Sequence, residues 1–197
     1  MFRKVLGTSI LGTAAVGTYT FYKEPIHNYF DLNHINIDKE INIKTFAKFN
    51  TALKKVDKAK TLAIVIETEG GDLSAAEAIA TAILNSNVKT RCIVPNYALS
   101  AGTIIALSCD EIILEESAIL SPCDGQMEFE DEVKSVHEIP NEEAKRTVLQ
   151  QRKFVEKLGS KKKYSDEVVE KLYEEMFSGK YNHERSFTKE DLKEMGI

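Results

Sequence analysis

Residues 92–110 read C-I-V-P-N-Y-A-L-S-A-G-T-I-I-A-L-S-C-D, and the fold of the chain follows from them. Cys92-Ile93-Val94-Pro95 is an apolar run of strand length. A polar turn at Asn96 leads to Ser100-Ala101-Gly102. Ala101, Ile104, Ile105, Ala106, Leu107 and Cys109 then make a short segment apolar nearly all round, as in a buried helix. The order is strand, tight corner, helix, with a serine at the corner. Such a corner holds a hydroxyl where free backbone N–H groups and the positive end of the helix dipole favour developing negative charge. Ala101 and Gly102 are small enough to let a substrate approach the backbone. A serine before a helix is also the ordinary N-cap, and in isolation Ser100 reads that way.

A second stretch changes that reading. Thr61-Leu-Ala-Ile-Val-Ile-Glu67 is a continuous apolar strand of the kind buried in parallel sheets. It runs through Thr68-Glu69-Gly70-Gly71-Asp72 into a helical pattern with apolar residues at 73, 76, 80, 83 and 84. Strand–Gly-Gly–helix is thus followed by strand–Ser-Ala-Gly–helix. Adjacent strand ends would bring the Gly71 N–H near Ser100 Oγ, with the Ala101 N–H beside it. A nucleophile and two backbone donors are what acyl transfer requires.

Glu69-Gly70-Gly71, Tyr97-Ala-Leu-Ser100-Ala-Gly-Thr-Ile-Ile-Ala-Leu-Ser-Cys-Asp110, Ile119-Leu-Ser-Pro-Cys-Asp-Gly-Gln126 and Ser178-Gly-Lys-Tyr-Asn-His183 together carry a family resemblance. The chain resembles the Clp protease, signal peptide peptidase A and crotonase superfamily, and within it the serine dehydrogenase proteinase family. The similarity runs from about residue 35 to Ile197. It implies an α/β fold, a ββα superhelix with a mostly parallel sheet and a helical C-terminal tail. It also implies a serine peptidase with Ser100 as nucleophile, Gly71 and Ala101 as the oxyanion hole, no cofactor or metal, and a homo-oligomeric assembly.

The composition is that of one globular domain, with 43% hydrophobic and 29% charged residues in 197. A net charge of −5 and the lack of a basic stripe argue against nucleic acid as a partner. Cys92, Cys109 and Cys123 have no metal-binding spacing and read as free buried thiols. After Arg3 and Lys4, residues Val5 to Tyr22 form an uncharged run just long enough to span a bilayer. The expected organisation is a signal anchor or signal peptide over 1–23, a linker over 24–34 and the peptidase domain over 35–197. Attachment through the N-terminus makes peptides or membrane proteins the expected substrates.

Phe46, Phe49, Leu53 and Val56 form a helical stripe, and Glu111–Glu115 reads as a strand continued by Ala118–Leu120. Met127–Ile139 is acidic and aperiodic, a loop or lid. Asn141 caps a helix with Glu142 and Glu143 in its first turn and Gly159 as its stop. Lys161-Lys162-Lys163 falls after that stop and reads as a solvated loop. Ser165–Ser178 is a second helix. Thr188 and Asp191 form a capping box for a last one, with Phe187 and Leu192 as its staple.

A serine hydroxyl needs a base. The Clp proteases carry a histidine about 25 residues after the serine; here that position is Gly125, between Asp124 and Gln126. The signal peptide peptidase branch uses a lysine, and Lys145, in the first turn of the Asn141 helix, is the expected base. Arg146 beside it cannot serve, because a guanidinium keeps its proton. His137 in the acidic loop is the next choice, and the resemblance implies a structural role for His183. The expected activity is a membrane-anchored serine endopeptidase. The alternatives are an inactive peptidase-fold scaffold that binds peptides or membrane proteins and, less favoured, an acyl-CoA enzyme of the crotonase kind.

Overall fold

A computed structural model describes residues 33–129 and 132–197. The expected membrane anchor over 1–23 lies outside the described residues. Among those described, no helix is long and apolar enough to cross a membrane.

Four parallel strands form the main sheet in the order β1 (Asn33–Ile37), β2 (Leu62–Ile66), β3 (Thr90–Val94), β5 (Glu111–Leu114). Helices α1 (Ile43–Leu53) and α2 (Leu73–Leu84) follow β1 and β2, and α3 (Ala101–Ser108) precedes β5. Leu62, Ile64 and Ile66 are fully buried and Ala63 nearly so, because helices cover the sheet. All eight residues of α3 are buried, as its all-round apolar sequence demands.

A second layer is made of very short strands. β4 (Tyr97–Ala98) pairs in parallel with β6 (Ile119–Leu120). Single bridges extend that layer on both sides: Ile41 to Gly71, Thr68 to Ala98, and Leu120 to Phe187. Each unit therefore runs from a main-sheet strand into a one- or two-residue strand of the second layer, the expected ββα repeat.

Beyond β6 the structure departs from expectation at several points. The acidic stretch after Gln126 is an antiparallel hairpin, β7 (Gln126–Glu128) with β8 (Val133–Ser135), followed by a 3₁₀ turn over Val136–Glu138. Three-residue strands are too short for a two-residue period to register. Helix α4 (Glu142–Lys162) does not stop at Gly159. Gly159 is buried in the helix, where any Cβ would collide with a methyl of Val169 on α5 (Asp166–Met176), so it marks a close helix crossing. Lys161 and Lys162 form the last turn, where cations suit the dipole. Lys163 supplies the left-handed cap at φ +59°. The capping box of α6 (Lys189–Met195) is as expected, with Thr188 N–H donating to Asp191 Oδ2 at 2.7 Å.

Gly71 is the most constrained backbone point. Its φ is +140°, and a Cβ there would run into the carbonyl oxygen of Ile41. Ile41 N–H donates to Gly70 O (2.8 Å) and Asp72 N–H donates to Ile41 O (2.7 Å), so the collision would be with paired backbone. Gly71→Ala is expected to cost roughly 1–3 kcal/mol. In a chain of this size that lowers the melting temperature by about 2–4 °C per kcal/mol. Calorimetry on the two proteins checks it, and an unchanged transition would mean the bridge to Ile41 is not formed.

Candidate active site

The bridge between Thr68 and Ala98 sets the geometry of the corner. Its two rungs are Thr68 N–H to Tyr97 O (3.3 Å) and Leu99 N–H to Thr68 O (2.9 Å). Two residues further along this parallel register, Gly70 stands opposite Ser100. A Cβ built on Gly70 would lie 2.9 Å from Ser100 Cβ and 3.3 Å from Ala101 N. Gly70, at φ +116°, is therefore required for two backbones to meet at the serine.

Ser100 has φ +48° and ψ −114°, a sparsely populated conformation for a non-glycine residue. Its side chain makes no capping hydrogen bond to α3. The N-cap role that the sequence alone would suggest is thus not the one it plays, and the hydroxyl is left uncommitted. The Ser100 N–H donates to Ser121 Oγ at 2.7 Å. Among the described residues, neither the Gly71 N–H nor the Ala101 N–H donates to any protein acceptor. Ile41 occupies the opposite edge of Gly71, and a first-turn N–H such as that of Ala101 has no partner inside its own helix. Gly70, the neighbour of Gly71, thus lies against Ser100 and the backbone of Ala101.

An open cleft of about 480 Å³ runs beside the two glycines. Asp38, Glu40, Glu67 and Glu69 line it against a single ammonium, Lys39, with Tyr97 alongside. Its field attracts positive charge.

Lys145 is not brought into this site as a dry amine. Its side chain is 65% exposed and its Nζ donates to Glu142 Oε1 at 2.8 Å. The buried face of α4 passes through Ala144, and one residue further turns the side chain by about 100°, into water. The ammonium is thus held at the surface by a carboxylate. Arg146 is exposed as well. His137 is committed elsewhere: its Nε2 donates to Phe177 O at 2.7 Å and its ring lies against Gly179.

Another histidine, read from sequence as structural, meets the continuation of β6. Leu120 and Phe187 exchange two hydrogen bonds of 2.9 and 2.8 Å in an antiparallel bridge. Asp124 stands four residues after Leu120, and His183 four before Phe187, in a turn where Arg185 N–H donates to Asn182 O at 2.9 Å. The two side chains meet there, with His183 Nδ1 2.9 Å from Asp124 Oδ1. Asp124 is 1% exposed at its side chain and His183 29%. A carboxylate only accepts, so Nδ1 donates its hydrogen to Asp124. Gln126 Nε2 donates to the other carboxylate oxygen, Oδ2, at 2.7 Å. Gln151 holds the same segment by accepting from Gly125 N–H (3.2 Å) and donating to Cys123 O (2.7 Å). Both ends of the pair lie in motifs visible in the sequence, Ser-Pro-Cys-Asp-Gly-Gln and Tyr-Asn-His. Nothing in either says that they touch across 59 residues.

The three cysteines are free and buried, and burial pushes the Cys92 and Cys123 thiols well up, away from nucleophilic thiolate.

Known proteins similar to this chain share its fold. Two proteins of Methanocaldococcus jannaschii, described as uncharacterized proteins MJ0137 and MJ1495, are 34% and 31% identical to the chain over 177 and 180 residues. Each match covers 83% of this chain, and the chain spans 62% and 60% of the length of these curated relatives. Among solved structures, a serine-to-alanine mutant of the 1510-N membrane-bound stomatin-specific protease superposes with a TM-score of 0.65 at 17% identity, over 84% of this chain and 76% of that one. ClpP1 from Listeria monocytogenes superposes with a TM-score of 0.62 at 14% identity, over 86% and 91%. At such identities these structures show the fold. The description ClpP-like SDH-type serine proteinase fits residues 24–197 of the sequence, and the chain belongs to that family.

Proposed function

We propose that the protein is a serine endopeptidase in which Ser100 attacks the peptide carbonyl and His183, oriented by Asp124, is the general base. The observation that carries this reading is the Asp124–His183 pair, built on the continuation of the strand whose next residue, Ser121, accepts the Ser100 N–H. His183 Nε2 takes the Ser100 proton as Oγ bonds to the carbonyl carbon. The buried Asp124 carboxylate holds the ring in the required tautomer and stabilises the imidazolium. The Gly71 and Ala101 N–H groups receive the oxyanion, each donor contributing roughly 2.7–4 kcal/mol to the transition state. The imidazolium then protonates the leaving amine as the C–N bond breaks. Water, deprotonated by the same nitrogen, releases the acyl group from Ser100.

The serine–lysine dyad expected from the sequence is the second reading. It would require Lys145 to leave Glu142 and shed its water. The proposal therefore gives proton transfer to His183. Membrane attachment through Val5–Tyr22 and membrane-protein substrates are part of the proposal. A fold neighbour, solved as a lysine-to-alanine mutant in complex with a substrate peptide, is itself described as a membrane-bound stomatin-specific protease. A homo-oligomer is proposed on the family resemblance.

Ser100→Ala is expected to abolish fluorophosphonate labelling and peptide hydrolysis. His183→Ala and Asp124→Asn should lower kcat by about 10³-fold or more, as loss of a base or its orienting carboxylate does. Lys145→Ala should stay within about threefold of the wild type, as an exposed ion pair contributes little. An inactive Lys145→Ala enzyme beside an active His183→Ala enzyme would transfer the role to the lysine. A wild-type chain that takes up no label would favour the inactive scaffold. Removing Met1–Lys23 should move the protein from the membrane pellet to the carbonate-soluble fraction without loss of the folded domain. Full-length protein already found in that fraction would end the anchor proposal.

A further inference from the structure

Ser100 sits in a backbone conformation that its own side chain does not stabilise, so something else must hold it. Its carbonyl oxygen accepts from Thr103 N–H (2.9 Å) and more weakly from Ile104 N–H (3.4 Å), as in any helix start. Its N–H is another matter, for at φ +48° it points away from α3 toward the residue that follows β6. There it meets Ser121 Oγ at 2.7 Å, a buried hydroxyl. The Ser121 hydroxyl hydrogen is directed to Pro122 O at 3.1 Å, which turns an oxygen lone pair toward Ser100. Ser121 is itself clamped at both backbone groups by Thr103. Ser121 N–H donates to Thr103 Oγ1 (3.2 Å), and that hydroxyl lies 2.9 Å from Ser121 O and 2.8 Å from Ala98 O. Thr103 is wholly buried, so this small network cannot exchange its bonds for water.

We infer that Ser121 is a positioning residue, whose hydroxyl holds Ser100 at its left-handed φ and fixes the nucleophile in register with the Asp124–His183 pair three residues downstream. The inference rests on reading Ser100 as the nucleophile. Without the Ser121 acceptor, the half-buried Ser100 N–H would lose its partner. The corner then gains by relaxing toward negative φ. That rotation swings Cβ and Oγ away from their place against Gly70 and the Ala101 N–H. Ground-state binding along the cleft does not involve Ser121, so the loss falls on the chemical step.

Ser121→Ala and Ser108→Ala, each in the full chain, separate positioning from packing. Ser108 is a buried serine on α3 whose hydroxyl donates to Ile104 O at 2.8 Å, so its removal reports the loss of a buried hydroxyl away from the corner. Both variants should lower the melting temperature to a similar extent. Only Ser121→Ala should slow fluorophosphonate labelling and lower kcat, by roughly 10- to 100-fold, as misplacement of a reacting group does. KM should stay within about threefold, because substrate binding is untouched. Ser121→Thr, which keeps the acceptor, should recover labelling relative to Ser121→Ala. If Ser121→Ala fails to fold, Ser121→Cys, with a weak acceptor of similar size, should show the same loss. In the crystal structure of the alanine or cysteine variant, Ser100 should adopt negative φ. Ser100 remaining near its present φ, or labelling no slower than in Ser108→Ala, would overturn the inference. Absence of label on the wild type would instead overturn the nucleophile reading, and the φ measurement would still decide the role of Ser121.

Discussion

Two hydrogen bonds between Leu120 and Phe187 hold the C-terminal segment against the second layer of short strands. Leu120 is paired on both edges, in parallel with Ala98 and antiparallel with Phe187, and it is fully buried between them. Everything chemical hangs from that residue. One residue on, Ser121 reaches the Ser100 backbone. Four residues on, Asp124 reaches His183. A slip of one rung would turn every side chain on this segment to the other face and separate the carboxylate from the imidazole.

The second layer is thin because each of its strands has only to hold a corner. Thr68 and Ala98 make one bridge, and two residues later Gly70 and Ser100 are in contact. Such an approach is open only to a residue without Cβ, which is why strain and glycine coincide here. The serine takes φ +48° and the two glycines before α2 take +116° and +140°. Together they bring the backbones of two different units to one serine. In the proposed reading the Gly71 and Ala101 N–H groups receive the oxyanion there.

Much of this was legible in the sequence. The continuous apolar run of β2, the all-round apolar α3, and the Gly-Gly and Ser-Ala-Gly corners that follow β2 and β3 follow from composition and period. The Asp124–His183 pair was not legible. His183 lies in Ser178–Phe187, which has no period, and its contact with Asp124 joins residues 59 apart and leaves no sequence pattern. Lys145 stood at a plausible spacing, but spacing says nothing of exposure. The buried positions of α4 include Ala144, Gln151, Phe154, Val155 and Leu158, and Lys145 is off that face. Gly159 looked like a helix stop because its reason for being glycine, the methyl of Val169, lies on another helix.

The central claim is that Ser100 and the Asp124–His183 pair act as one unit. Proton NMR of the hydrogen shared by His183 Nδ1 and Asp124 tests it most directly, in the free protein and after covalent phosphonylation of Ser100. The account predicts a far-downfield resonance, absent in His183→Gln, that moves when Ser100 is modified because the adduct alters the ring at Nε2. A resonance indifferent to that modification would show that the pair is a structural clasp, and that the base for Ser100 lies elsewhere.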